Sequence, residues 1–360
     1  MSSSTDRSIA VVLGTRPEMI KLSVLITLLG DQARVIHTGQ HYDPTMTGDS
    51  ASNVHHPHLQ LRVGGQHRGV QIGAATAQLT QAWHDDPPAA VIVQGDTNAA
   101  LAGALAANAV QAPLIHVEAG LRSHDRAMPE EHNRIVIDHL ADLCCAVTSQ
   151  NVSNLWAEGI PDSRIVLTGN PIVEAVHLTE RDHAAALRLT APLGGEPYVV
   201  STLHRPENVD DPDRLRRMLT SLAALDLPVL LVIHPRTRQR VQQFGLSDLL
   251  AQLHVIDPLS YPAFLAVAEQ ASLLISDSGG IQEEAGILGV RLLVLRQSTE
   301  RPEALSADCA LVPQPEQLRV FAQSMAALPG RPLPGLSVFG DGRASARIAD
   351  LTEILAASAP

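Results

Sequence analysis

Short runs of β-branched and apolar residues alternate with longer amphipathic stretches along this chain, and the alternation runs twice. Parallel strands must be joined by crossovers of a dozen residues or more. Strict alternation therefore implies parallel sheets with helices on both faces. In the first half the spacing predicts strands over 9–13, 35–38, 90–94, 114–117, 145–148 and 165–168. Helices are expected from the Gly14 turn to Leu29 and over 67–84, 97–109 and 129–142. The pattern restarts with strands at 198–202, 228–233, 253–256, 272–276 and 291–295. Their helices are expected at 211–225, 236–244, 261–271, 280–288 and 315–328, with a last helix near 343–357. Segment 44–70 is polar and poorly periodic, so it reads as loop with short helices. The Pro/Gly-rich stretch APLGGEP at 191–197 reads as a linker. The expected division is an N-terminal Rossmann-like domain over 1–180, a second over 195–340, and a helix in 341–360 that returns to the first.

Composition removes several function classes. Hydrophobic residues are 45% of the 360, which is enough for a sizeable core and excludes disorder. Aromatics are only 2%, so that core must be aliphatic. A formal charge of −12 argues against a nucleic-acid partner, which needs a basic face. The three cysteines have no metal-ligand spacing and fit a reducing cytoplasm. The first residues, MSSSTDRS, carry no apolar leader segment, and no apolar run reaches membrane-spanning length, so no membrane partner is expected. Lysine and arginine total 26, of which Lys21 is the only lysine. GC-rich coding explains the depletion; it does not explain the one that remains.

In doubly wound sheets ligands bind at the carboxyl ends of the strands. The informative residues cluster there. Gly14-Thr15-Arg16-Pro17-Glu18 follows the first strand and puts Arg16 at a helix start, where anions are favoured, with Lys21 a turn further on. Gly39-Gln40-His41-Tyr42-Asp43 follows the next strand. Gly95-Asp96-Thr97 and Glu118-Ala119-Gly120 follow two strands expected to be neighbours, so two carboxylates converge and can divide acid and base roles. Glu130 and Glu131 open a helix, where acids also serve the dipole. In the second half, His204 and Arg205 follow one strand and His234 another; a strand-end histidine is a proton carrier near neutral pH. Ser276-Asp277-Ser278-Gly279-Gly280 leads from strand to helix as a phosphate cradle, with Glu284 placed to hold ribose hydroxyls and Arg301 near the same crevice. The GxGxxG fingerprint is absent, which counts against a nicotinamide cofactor.

Together the segments resemble the non-hydrolysing UDP-N-acetylglucosamine 2-epimerases. They are GTRPEMIKL, QGDTNAALAGALAA, HVEAGLRS, MPEEHNR, TGNPIVEA, LHRPENVD, SDSGGIQEEAGILG, STERPEA and GDGRAS, in one order along nearly the whole chain. The resemblance implies the GT-B architecture, two Rossmann-like doubly wound α/β domains facing each other across a cleft. It implies a UDP-sugar substrate, neither metal nor redox cofactor, and a homodimer. The implied reaction interconverts UDP-GlcNAc and UDP-ManNAc by anti-elimination of UDP and its re-addition to a 2-acetamidoglucal. On this resemblance Asp96, Glu118, Glu130 and His204 form the catalytic and sugar-contacting set. Arg16, Lys21, the Leu259 backbone, Phe264, Ser278, Gly279, Gly280, Glu284 and Arg301 contact the diphosphate and uridine.

Some relatives are activated by a second UDP-GlcNAc, and Gln40, Glu131, Arg205 and His234 match that site. Asp43 and Pro206 depart from it, and a carboxylate there repels a diphosphate. Alternatives are a hydrolysing 2-epimerase, a 2-epimerase of a modified UDP-aminosugar, a GT-B glycosyltransferase and a nucleotide-sugar sensor. Lys21 is expected to resist replacement by arginine, since a compact ammonium differs from a planar fork.

Overall fold

The computed structural model describes residues 8–40, 57–333 and 338–358. The chain divides into two compact units, residues 1–178 with 339–360, and residues 179–338. In the first unit the order is β1 (Ile9–Leu13), α1 (Arg16–Leu29), β2 (Ala33–His37), β3 (Leu59–Gln60), α2 (Arg68–Trp83), β4 (Ala90–Gln94), α3 (Asn98–Ala109), β5 (Leu114–Ala119), α4 (Pro129–Leu140), β6 (Leu143–Ala146), α5 (Ser149–Ala157), β7 (Ile165–Leu167) and α6 (Ile172–Leu178). The second unit contains α7 (His183–Thr190), β8 (Val199–Thr202), α8 (Pro206–Val209), α9 (Pro212–Ala223), β9 (Val229–Val232), α10 (Pro235–Gln243), α11 (Ser247–Leu250), β10 (His254–Ile256), α12 (Tyr261–Gln270), β11 (Leu273–Ser276), α13 (Gly279–Leu288), β12 (Leu292–Val294), β13 (Cys309–Leu311) and α14 (Leu318–Ala326). The last helix, α15 (Ala344–Ser358), returns to the first unit.

Both sheets are parallel. Their strand orders are β3-β2-β1-β4-β5-β6-β7 and β10-β9-β8-β11-β12-β13. Each is a doubly wound sheet whose order reverses once, between β1 and β4 in the first unit and between β8 and β11 in the second. The regular alternation in the sequence corresponds to these elements. The differences are local. β3 lies in the segment read as loop, whose part before residue 57, with Asp43, lies outside the described residues. β13 has three residues and β3 two, too few to show a period. Helices α5, α6, α7, α8 and α11 were not expected; α5 is polar, and its start is fixed instead by a capping box between Thr148 and Asn151. Most consequential, β5 runs two residues further than expected and takes Glu118 into the strand.

The aliphatic core follows from the composition. Helix α3 has seven alanines among its 12 residues and packs against α2 and α4, with Ala100, Ala102, Ala104, Ala106 and Ala107 in one core cluster with Val12, Val91 and Val93. Small side chains let it sit close to the sheet. A Cβ on Gly103 would stand 2.9 Å from Val93 Cγ1 and 3.1 Å from Val12. Helix α15 buries Ile348 and Ala349 with Ile26 and Leu29. Its start is fixed by Glu174, which accepts the Ser345 N–H at 2.9 Å and the Ser345 hydroxyl. Among the described residues no helix is long and apolar enough to cross a membrane.

One buried carboxylate ties the loops at the first switch point. Glu18 Oε2 accepts the N–H groups of Gly14 and Thr15 at 2.9 and 2.8 Å and the Thr15 hydroxyl at 2.8 Å. Its Oε1 accepts the Thr97 hydroxyl at 2.6 Å. Thr97 caps α3 by accepting the Ala100 N–H. Burial pushes the Glu18 pKa up to about 7, against the lowering effect of these donors.

Gly103→Val should cost about 1–3 kcal/mol by overpacking, whereas Gly73→Ala should stabilise by about 0.4–1 kcal/mol, because a Cβ at Gly73 meets nothing within 4 Å. Thermal midpoints of the two variants check this, and equal midpoints would contradict it. The stability that Glu18 confers is fully present below its unfolded value of 4.5 and is lost as pH rises through about 7. Glu18→Gln mimics the protonated form, so the wild type should weaken relative to it between pH 5 and 8. The difference should be on the order of 3 kcal/mol at most, at about 1.4 kcal/mol per unit. Urea midpoints that stay parallel for the two proteins across that range would refute this.

Candidate active site

In the first unit, β4 and β5 are hydrogen-bonded neighbours, with Gln94 opposite Val117. Their ends carry Asp96 and Glu118. Glu118 is 3% exposed and has a backbone φ of +69°, at the point where the β5–β6 register shifts. A non-glycine residue there is strained by about 1–3 kcal/mol and persists only when its surroundings hold it. Those surroundings are explicit. Lys21 Nζ donates to both carboxylate oxygens of Glu118, at 2.9 and 2.7 Å, and Gln94 Nε2 donates to Oε2. Lys21 is 5% exposed. The sequence reading grouped Lys21 with the nucleotide contacts; the structure binds its ammonium to the Glu118 carboxylate, 97 positions away in sequence. The Glu118 carboxylate also reaches over the neighbouring turn, since a Cβ on Gly95 would lie 4.0 Å from Oε2.

Asp96 is half-buried on that turn. Its carboxylate pairs with Arg134 Nη2, and its carbonyl accepts Asn133 Nδ2 at 2.8 Å. Arg134 Nη1 also pairs with Glu131. Glu131 is buried and accepts the N–H groups of Ser123 and His124 at 3.0 and 2.8 Å. Burial pushes Glu131 up, but these N–H groups and Arg134 outweigh it and hold its carboxyl below the usual range. Glu130, by contrast, is exposed on the first turn of α4. Arg16 is half-buried at the first position of α1. Gln40 Oε1 accepts the Ala99 N–H at 2.9 Å, at the start of α3. Arg134 and Gln94 were not singled out in the sequence. The spacing of Arg134 three residues after Glu131 on one helix was the available signal for it.

In the second unit the switch point is built around Asp277. This fully buried carboxylate accepts the His204 N–H, the Arg205 N–H at 3.0 Å and Asn208 Nδ2 at 3.1 Å. His204 Nδ1 lies 3.0 Å from Asp277 Oδ1, which directs Nε2 away from the carboxylate. Burial pushes Asp277 up, but the His204 charge and these hydrogen bonds outweigh it and hold the carboxyl low. The His204 side chain is 38% exposed, so it is both oriented and accessible. Its ring lies 5.6 Å from that of His234, and His234 caps α10 by accepting the Arg236 N–H at 3.1 Å. Asp277 stood inside a quoted motif, but its role as orienter of His204 was not visible there.

Ser278 is the N-cap of α13, which Gly279 and Gly280 open. The two glycines differ. A Cβ on Gly279 would lie 2.6 Å from Glu300 Oε1 and 2.7 Å from Arg301 Nη1, so that glycine answers to an ion pair packed beneath the helix start. A Cβ on Gly280 meets only Ser278 Oγ at 4.0 Å, so its face is open to a ligand. Arg301 is 6% exposed, and donates from Nε to Glu283 at 2.7 Å and from Nη1 to Glu300 at 2.5 Å. Glu300 also pairs with the buried Arg296 at 2.7 Å, and Arg205 Nη2 lies 3.8 Å from it. Glu284 is 8% exposed and neighbours Tyr261, whose phenol is pushed well above its ordinary value by burial and by this carboxylate. Leu259 and Phe264 are half-buried against the same core cluster as Ile281 of α13.

A family model described as UDP-N-acetylglucosamine 2-epimerase matches residues 30–353. The UDP-N-acetylglucosamine 2-epimerase of Methanococcus maripaludis is 38% identical over 314 residues, 83% of this chain and 86% of that protein. A Pseudomonas aeruginosa protein named UDP-2,3-diacetamido-2,3-dideoxy-D-glucuronate 2-epimerase is 32% identical over 356 residues, 95% of this chain and 98% of that protein. Among solved structures, Methanocaldococcus jannaschii UDP-GlcNAc 2-epimerase in complex with UDP-GlcNAc and UDP superposes with a TM-score of 0.88. It is 35% identical and the match covers 96% of this chain and 99% of that one. The chain belongs to the UDP-N-acetylglucosamine 2-epimerase family.

Proposed function

We propose that the protein epimerises UDP-GlcNAc at C2 to UDP-ManNAc without net hydrolysis. The observation that carries this reading is the pair of carboxylates on the adjacent strands β4 and β5. Glu118 is held by Lys21 and Asp96 by Arg134. The C2 proton has no neighbouring carbonyl to acidify it. Its removal therefore needs a positioned base and strong stabilisation of the leaving group. In the forward step a base takes the C2 proton, the C2–H electron pair becomes the C1=C2 double bond, and the C1–O bond to UDP breaks. In the return step a proton reaches the opposite face of C2 and a UDP oxygen re-forms the bond to C1.

Asp96, Glu118, Glu130 and His204 serve as the acid/base and sugar-contacting set in this reading. His204 is supported by its carboxylate partner, which fixes one ring nitrogen and leaves the other for proton exchange. The start of α13 at Ser278, Gly279 and Gly280 receives the diphosphate, where helix N–H groups favour anions. Arg301 with Arg205 and Arg296 adds positive charge beneath that cradle. Arg16 serves the diphosphate, Glu284 the ribose, and Leu259 and Phe264 the uracil. Lys21 acts on the reaction through Glu118. Glu131, already committed to Arg134, supports Asp96. The reading includes a cytoplasmic homodimer.

A second reading, favoured by the near full-length match to the P. aeruginosa relative, is the same chemistry on a UDP-diacetamido-uronic acid. Relative kcat/KM values on the two substrates separate them.

The decisive experiment is NMR of UDP-GlcNAc with the protein in deuterated water. UDP-ManNAc should appear and deuterium should enter C2 of both sugars, whereas absence of C2 exchange would sink the proposal. Accumulation of UDP with free ManNAc would move the assignment to the hydrolysing reaction. Asp96→Asn should lower kcat by roughly 10²- to 10⁴-fold, as loss of an acid/base group does. Lys21→Arg should also be severely impaired, because the longer and bulkier guanidinium must fit the enclosed space that a compact ammonium, 5% exposed, now fills. Wild-type kinetics in Lys21→Arg would show that the Lys21–Glu118 pair is dispensable.

A further inference from the structure

A buried histidine lies behind the Asp96 turn and has no place in the reaction as written. His116 of β5 is 0% exposed. Its Nδ1 is 2.6 Å from Asp138 Oδ1 and its Nε2 is 2.8 Å from the Gly95 carbonyl oxygen. A neutral imidazole has one donor and one acceptor nitrogen. Here both nitrogens face acceptors. With Asp138 ionised beside Arg122, either neutral tautomer leaves two lone pairs opposed at one contact, and the doubly protonated ring satisfies both.

We infer that His116 is a positioning residue: a buried imidazolium clamped between Asp138 and the Gly95 carbonyl, which fixes the Gly95–Asp96 peptide and so aims the Asp96 carboxylate. The inference rests on the reading of Asp96 as an acid/base group. The Gly95 carbonyl and the Asp96 N–H belong to one planar peptide, so holding the oxygen sets the plane from which Asp96 departs. The Gly95 N–H is held in turn by the Val117 carbonyl at 3.0 Å, and Gly95 has a φ of +66°, a conformation that leaves the turn dependent on such ties.

The charges around the ring are consistent with a cation. Asp138 of α4 is fully buried, and its Oδ2 takes Arg122 Nη2 at 2.8 Å and the Gly120 N–H at 3.2 Å. Burial pushes Asp138 up, but the charge and hydrogen bond of His116, followed by Arg122, outweigh it and keep its carboxyl low. Arg122 is shared with Glu158, at 2.6 Å. Two cations thus face two carboxylates. Arg164 Nη2 donates to the Asp138 carbonyl at 3.2 Å, and Asp142 is occupied by the Leu114 N–H at 2.8 Å. Cys144 of β6, paired with His116 across the sheet, has its thiol pushed up to about 12 by burial and stays neutral.

The test has two arms. In the first, ¹⁵N NMR of the histidine rings of the wild-type protein reads the protonation state with no substrate present. Two protonated ring nitrogens for His116 at pH 7.5, absent from the His116→Gln spectrum, are expected. A neutral ring there would overturn the proposal, whether or not the protein epimerises UDP-GlcNAc. In the second, His116→Gln, which keeps a donor but no charge, should lower kcat by about 10- to 100-fold with KM within about twofold, as small misplacements of a reacting group do. Its Gly95 and Asp96 amide resonances should move as well. Unchanged kcat with unmoved Gly95 and Asp96 amides would also overturn it.

Discussion

Each unit of this protein depends on a carboxylate buried at the point where its strand order reverses. There the crossovers leave to opposite faces and the loops lose the cover of helices, so something must satisfy their backbone N–H groups. Glu18 does this in the first unit, reaching from the β1–α1 turn to Thr97 at the start of α3. Asp277 does it in the second, reaching from the β11–α13 turn to the residues after β8. Without these side chains, buried donors would be left unpaired, at a cost of about 1–3 kcal/mol each. Asp96 and His204, which the proposed reaction uses, stand on loops held in this way.

The two carboxylates meet different company, and their proton affinities diverge. Glu18 is held by neutral donors, and burial raises it to about 7. Asp277 is equally enclosed but faces His204, and the histidine keeps it low. Burial pushes both up, and the outcome depends on the charges and donors that oppose it. The other carboxylates of the site are paired with cations as well. Glu118 has Lys21, Asp96 and Glu131 share Arg134, and Glu283 and Glu300 divide Arg301.

Much of this was legible in the chain. The alternation of apolar runs reports parallel sheets, because crossover length and strand period are local properties. The strand-end position of Asp96, His204 and Ser278 follows from the same register. Partner choice is tertiary and was not legible. No spacing says that Lys21 meets Glu118, that Asp277 orients His204, or that Gly279 is small because Glu300 and Arg301 pack beneath it. The strand end at 117 was misplaced for a related reason. Glu118 continues β5 only by adopting a left-handed backbone, which no propensity favours and only the surrounding contacts sustain. The two- and three-residue strands β3 and β13 carry no period at all.

The scarcity of lysine has a consequence for the surface. Every other side-chain cation that is not a histidine is a guanidinium, and the one ammonium is 5% exposed and engaged with Glu118. Reagents that acylate or cross-link amines will therefore find no accessible side chain on the folded protein. Slow acylation of Lys21 would instead report the opening of the first unit around Glu118.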